Sequence, residues 1–128
     1  MAKVFVFGSN EGGIHGAGAA KEAYKKHGAR YGSSYGHFGQ SFAIPTKDKN
    51  IEYTLPLATI EAYVKGFLAY AAGRKKLTFT VTRIGCGLAG LKDKDIAPMF
   101  KDAPSNCQFD EAWRPFLGDD VTYWGTFE

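Results

Sequence analysis

The sequence predicts a single α/β domain whose mainly parallel sheet is covered on both faces, and three observations carry that expectation. Short apolar, β-branched or aromatic runs alternate with helical stretches. Two of those runs lead directly into glycine-rich loops, each followed by a helix signal. The length of 128 residues fits one domain over residues 1–128. A chain of that size buries roughly two-thirds of its unfolded surface, so a core forms without staples.

Residues 3–7 (KVFVF) form an apolar run ended by Gly8, Ser9 and Asn10, which reads as a buried strand. Residues 11–18 are half glycine. A helix is expected over 17–27, with Gly28 where a C-terminal cap belongs. Residues 30–39 form a second glycine- and tyrosine-rich loop that holds Tyr31, Tyr35 and Phe38. Residues 40–46 (QSFAIPT) read as a strand whose Pro45 places its end at an edge or mouth. The clearest helix runs over 57–72, because Ile60, Val64, Phe67, Leu68 and Ala71 share one face. Residues 77–84 (LTFTVTRI) are a strand that passes straight into GCGLAGL. A short helix over 94–102 and late strands at 107–109 and 121–124 complete the pattern, with Trp113 and Trp124 expected in core or edge packing.

Composition narrows the function classes. The apolar share of 45% is ordinary, but 16 glycines are about twice the usual fraction. Glycine marks backbone that bends sharply or approaches something closely. The net charge of +3 suits an anionic small molecule and falls short of a dedicated nucleic-acid binder. Arg74, Lys75 and Lys76 read as the solvated end of a helix. Cys86 and Cys107 give neither a disulfide framework nor metal-ligand spacing, so no metal and no cofactor is expected. No 18 apolar residues run together and no secretory apolar segment opens the chain. The expectation is a cytoplasmic protein with no membrane partner.

Chemistry concentrates in the two loops. The first holds Gly8, Ser9, Asn10, His15, Gly16, Ala17 and Gly18; the second holds Ile84, Gly85, Cys86, Gly87, Leu88, Ala89 and Gly90. Small residues expose backbone N–H groups, and a following helix N-terminus adds partial positive charge, which together cradle an anion without a lysine. Standard motifs fail: Gly16-Ala17-Gly18 leads to Lys21 where a dinucleotide fingerprint wants glycine, and no stretch fits the P-loop. Neither a classical reductase nor an ATPase is supported. Arg83 is a partner for an acid or a phosphate, and Cys86 is either a small filler or a nucleophile. His15 is either a phosphate donor and acid/base or an idle loop residue. Asn10 either bonds a ribose hydroxyl or merely turns the chain. Tyr31, Tyr35 and Phe38 either stack on a base or pack the loop.

Residues 83–91 (RIGCGLAGL) resemble the diphosphate-binding loop of macrodomains, especially the branch of ADP-ribosyl-glutamate hydrolases. Residues 41–47 (SFAIPTK) look like the strand that ends in that branch's catalytic lysine, and residues 10–20 are similar to the macrodomain loop that holds the distal ribose. The chain also resembles a small phage-associated family with a macrodomain-like core. The likeness runs over roughly residues 4–100. It implies a three-layer α/β/α fold with a mixed, mainly parallel central sheet. It implies that residues 85–90 wrap the diphosphate, while Asn10 and residues 16–18 face the distal ribose. It makes Lys47 a candidate nucleophile toward the anomeric carbon, which requires a neutral amine.

Two departures accompany it. The branch carries an aspartate in the second loop where this chain has Ala89, leaving Asp48 or Asp93 as the only substitutes for an acid/base partner. The chain also enters directly at the strand before the asparagine loop, so the family's leading strand and adenine-recognising aspartate find no counterpart. Three functions follow as expectations. The first is a binding module for ADP-ribose or a related phosphoribosyl nucleotide. The second is an ADP-ribosyl hydrolase that uses Lys47, Asn10 or His15 and acts on an ADP-ribosylated macromolecule or small metabolite. The third is an interaction or nucleic-acid-binding protein with an idle site, which the mild positive charge and the aromatic loop permit.

Overall fold

A computed structural model describes residues 2–127. Its frame is set by β1 (Lys3–Asn10), in which Val4, Phe5, Val6 and Phe7 are all buried. A strand with no polar side must have both faces covered, which places it at the centre of a parallel sheet. The sheet has six strands in the order β2-β3-β1-β4-β5-β6. These are β2 (Gly36–Phe38), β3 (Ser41–Lys47), β4 (Thr78–Val81), β5 (Cys107–Asp110) and β6 (Thr122–Gly125). Every pairing is parallel except that of β2 with β3. The chain runs from β1 outward to β3 and then crosses back to β4 on the other flank of β1. The ends of β1, β3 and β4 therefore meet at a topological switch point, where open α/β sheets bind ligands.

Side-chain alternation divides the core in two. On one face Phe5, Phe7 and Ala43 meet Ala20 and Ala23 of α1 (Gly18–Lys26). On the other, Val4, Val6, Phe42, Ile44, Phe79 and Val81 meet α2 (Leu57–Ala72) through Ile60, Val64, Phe67 and Ala71. Phe67 bridges the layers, edge-on to Phe42 at 4.9 Å and to Phe79 at 5.4 Å. Burial of such a side chain is worth about 1.5–3 kcal/mol. The result is the expected α/β architecture, with helices on both sides of a mixed, mostly parallel sheet.

Boundaries move for physical reasons. The stretch expected as a loop over 30–39 contains β2, short enough that its glycines mask a strand signal. The helix expected over 94–102 is split into α3 (Asp93–Ile96) and a 3₁₀ turn (Ala97–Phe100). Pro98 lacks the N–H that an α-helix needs there. A second 3₁₀ turn (Glu111–Trp113) and α4 (Arg114–Leu117) connect β5 to β6. Among the described residues no helix is long and apolar enough to cross a membrane.

Candidate functional site

At the carboxyl ends of β1, β3 and β4 lies a cleft of about 490 Å³. That volume falls in the ordinary range for small-molecule sites. Both glycine loops wall it. A Cβ built on Gly8 would stand 3.1 Å from the backbone N of Gly85, so the first loop leaves β1 in direct contact with the start of the second. Farther out, Leu88 reaches across to Gly18, where a Cβ would come within 3.3 Å of its Cδ1. Gly8, Ser9, Asn10, Gly16, Ala17 and Gly18 line one side, and Ile84, Gly85, Cys86, Gly87, Leu88 and Ala89 line the other.

Besides Lys47 and the Asp93-paired Arg83, the electrostatics of these walls come from the backbone. The first three residues of α1 have N–H groups without intrahelical acceptors. Ala17, its N-cap, makes no side-chain cap bond, and no acidic residue occupies the first turn. In the second loop, Cys86 donates to Arg83, Gly90 to Gly87 and Leu91 to Gly85. Among the described residues the N–H groups of Gly85, Gly87, Leu88 and Ala89 have no acceptor. Among the described residues no carboxylate lines the cleft. Open amides, one helix end and a lysine without a carboxylate beside them are the chemistry that could cradle an anion.

A register shift between Ser9 and Asn10 pairs Ser9 with Pro45 but Asn10 with Lys47. Thr46 is the extra residue, and its hydroxyl donates to the Ser9 carbonyl at 3.2 Å. Such bulges re-aim side chains at strand ends. Here the shift sets Asn10 beside Lys47 at the cleft wall. The Asn10 amide is engaged with its own loop: Nδ2 donates to the Ile14 carbonyl at 2.7 Å, and Oδ1 accepts from the Ile14 N–H at 2.9 Å. Asn10 is thus the brace of the first loop, with one donor and one acceptor position still unused. Lys47 lines the cleft half-buried and forms no ion pair among the described residues.

Several expected roles are corrected. His15 does not reach the cleft: it is 1% exposed, with Nε2 bonded to the Arg30 carbonyl at 2.7 Å and its ring edge-on to Phe7. It serves as a buried pillar between the first loop and the segment at Arg30. Ser9 lines the cleft by its backbone, because its hydroxyl donates to the Ser34 carbonyl. Gly90 stands outside the lining and turns the chain back. Tyr35 and Phe38 pack away from the cleft; the Tyr35 ring meets Phe42 at 5.4 Å and its hydroxyl bonds the Tyr63 carbonyl.

The substitutes for the missing aspartate are both committed elsewhere. Asp48 accepts the N–H groups of Glu52 and Tyr53, each at 2.8 Å, and these bonds hold its carboxyl below the usual range. Asp93 accepts from Nε and Nη2 of Arg83, at 2.8 and 2.6 Å, and from the indole N–H of Trp113 at 2.7 Å. The Arg83 guanidinium is the main cause of its lowered pKa. Both remain ionised at neutral pH and hold no proton for an acid step. Burial, with Asp93 nearby, pushes the Cys86 thiol up to about 12, so it is a neutral filler rather than a nucleophile.

Sequence reasoning missed three walls of the cleft. Ile14 and Ile51 are exposed at its mouth, and Phe127 closes the end near Ala20. Ile51 is the one non-glycine residue with positive φ among those described, at 60°. The Asp48 turn holds it there, at a cost of about 1 kcal/mol or more for a β-branched residue. Phe127 lies nearly forty positions beyond the second loop and only the sheet brings it near. Among the described residues no three His, Cys, Asp or Glu side chains group as a metal site requires. No family model matches the chain, and no curated protein matches it.

Proposed function

We propose that the chain binds ADP-ribose, or a related phosphoribosyl nucleotide, with the diphosphate against the second loop and α1. The observation that carries this reading is the convergence of unpaired backbone amides from residues 16–18 and from Gly85, Gly87, Leu88 and Ala89 on one cleft that no carboxylate of the described residues lines. The resemblance of residues 83–91 to the macrodomain diphosphate loop supports the same ligand class. Apolar surface at Phe127, Ile14 and Ile51 offers ring-sized contacts on either side of the cradle.

An alternative reading makes the protein an ADP-ribosyl hydrolase acting through Lys47. Its support is the position of Lys47 on the cleft wall, paired across the sheet with Asn10 and without an ion pair among the described residues. Binding is favoured over hydrolysis because neither Asp48 nor Asp93 is free to act as an acid/base partner.

Calorimetry with ADP-ribose tests the binding reading. Gly87 has nothing within 4 Å of a built Cβ and no positive φ, so Gly87→Glu adds a carboxylate to the cradle without straining the fold. The expected result is measurable binding by the wild type and at least tenfold weaker binding by the variant, about 1.4 kcal/mol. Equal affinities would remove the second loop from the site. For the alternative, the rate of ADP-ribosyl release by Lys47→Ala decides: a rate equal to that of wild type rules the lysine out.

A further inference from the structure

One of the chain's basic clusters lies along α1 and the segment that follows it. Residues 21–31 hold four of the sixteen basic residues, Lys21, Lys25, Lys26 and Arg30, and one of the thirteen acidic ones, Glu22. That stretch carries +3 within eleven residues. All four cations are exposed. Lys26 is 3.6 Å from Glu22, whereas Lys21, Lys25 and Arg30 form no ion pair among the described residues.

Two aromatic rings stand among these charges. Tyr24 and Tyr31 are 47% and 52% exposed and meet edge-on with centroids 4.7 Å apart. Lys21 and Lys25 flank Tyr24 one helical turn apart on α1. Tyr31 adjoins the cleft: its hydroxyl would lie 3.7 Å from a Cβ on Gly16. Tyr31 also rests on the buried His15 ring, 5.5 Å between centroids, which holds the pair in place while about half of each tyrosine stays open to solvent.

We propose that the outer face of α1, together with Arg30 and Tyr31, is a docking surface for single-stranded nucleic acid beside the cleft mouth. Cations that track a backbone, interleaved with exposed rings on which bases stack, are what a sequence-tolerant single-strand surface needs. The rings select against a merely acidic partner, which has no π-face to offer. They also select against a duplex, whose bases are already stacked. The inference goes beyond the cleft reading and does not depend on it.

The test is fluorescence anisotropy of the full chain with a labelled twelve-residue oligothymidylate, at several salt concentrations. Binding is expected to weaken with salt, and Lys25→Ala combined with Arg30→Ala is expected to flatten the log–log slope by about 1.4. Tyr24→Ala is expected to weaken binding roughly tenfold, while Tyr24→Phe, which keeps the ring, retains it. ADP-ribose affinity is expected to be unchanged in all of these variants, so the two sites report separately. No binding of the oligonucleotide by wild type overturns the proposal. So does tighter binding of a heparin fragment or of phosphatidylserine vesicles with no dependence on Tyr24. Loss of ADP-ribose binding alone would instead count against the cleft.

Discussion

The two glycine loops look alike in sequence but use their glycines differently. In the first, Gly12 and Gly13 are spent on packing. A Cβ on Gly12 would meet the Lys49 carbonyl oxygen at 2.4 Å, and one on Gly13 would meet the Gly32 backbone at the same distance. Gly13 also sits at φ 69° and accepts a bond from the Gly32 N–H at 2.8 Å. In the second loop, Gly87 and Gly90 face open space. That loop is held from outside: the Thr54 hydroxyl pins the Ala89 carbonyl at 2.8 Å, and the Arg83–Asp93 pair anchors its two ends. Glycine abundance thus marks two different needs: Gly12 and Gly13, with Gly85 of the second loop, pack closely, whereas Gly16, Gly87 and Gly90 leave backbone open.

The comparison breaks most readily at Gly13. Gly13→Ala combines a left-handed backbone with a clash against immovable main chain, and is expected to destabilise by about 3 kcal/mol. Chemical denaturation measures it, and a loss under 1 kcal/mol would mean that the first loop is as open as the second.

Asp93→Ala comes next. It leaves the buried Trp113 indole N–H and the Arg83 guanidinium without their acceptor, an expected loss of about 2 kcal/mol. The same carboxylate sets a pH dependence. Its folded pKa lies below the unfolded value of about 3.9, so its contribution is complete above that value and disappears as pH falls through the folded one. Acid titration of the wild type should show this loss below about pH 4, and Asp93→Ala should show less of it.

The smallest effect is expected at Thr54. Thr54→Val removes one bond to the second loop and should cost about 1 kcal/mol of stability. If the bond positions the loop amides, ADP-ribose affinity falls by several-fold as well. Unchanged affinity would show the loop holding its shape without that pin.

Much of this molecule was legible in local sequence. The apolar runs of β1 and β3, the single apolar face of α2 and the cap at Gly28 each follow from spacing along the chain. Both loops were identifiable because glycine clusters after strand signals are local facts. Element type survives because helix and strand periods repeat every few residues. Interruptions such as Pro98 and the short β2 inside a glycine-rich stretch shift boundaries without changing class.

What the sequence by itself determined was an α/β domain with two amide-rich turns. Only the tertiary structure decided that the turns share one cleft, that Asn10 stands beside Lys47 and that His15 is buried beneath them. It likewise brought Ile51 and Phe127 to the walls and committed Asp48 and Asp93 to other partners. The reason is that strand order, a one-residue bulge and side-chain partners depend on contacts between distant positions, and no local pattern encodes which distant group a side chain will meet.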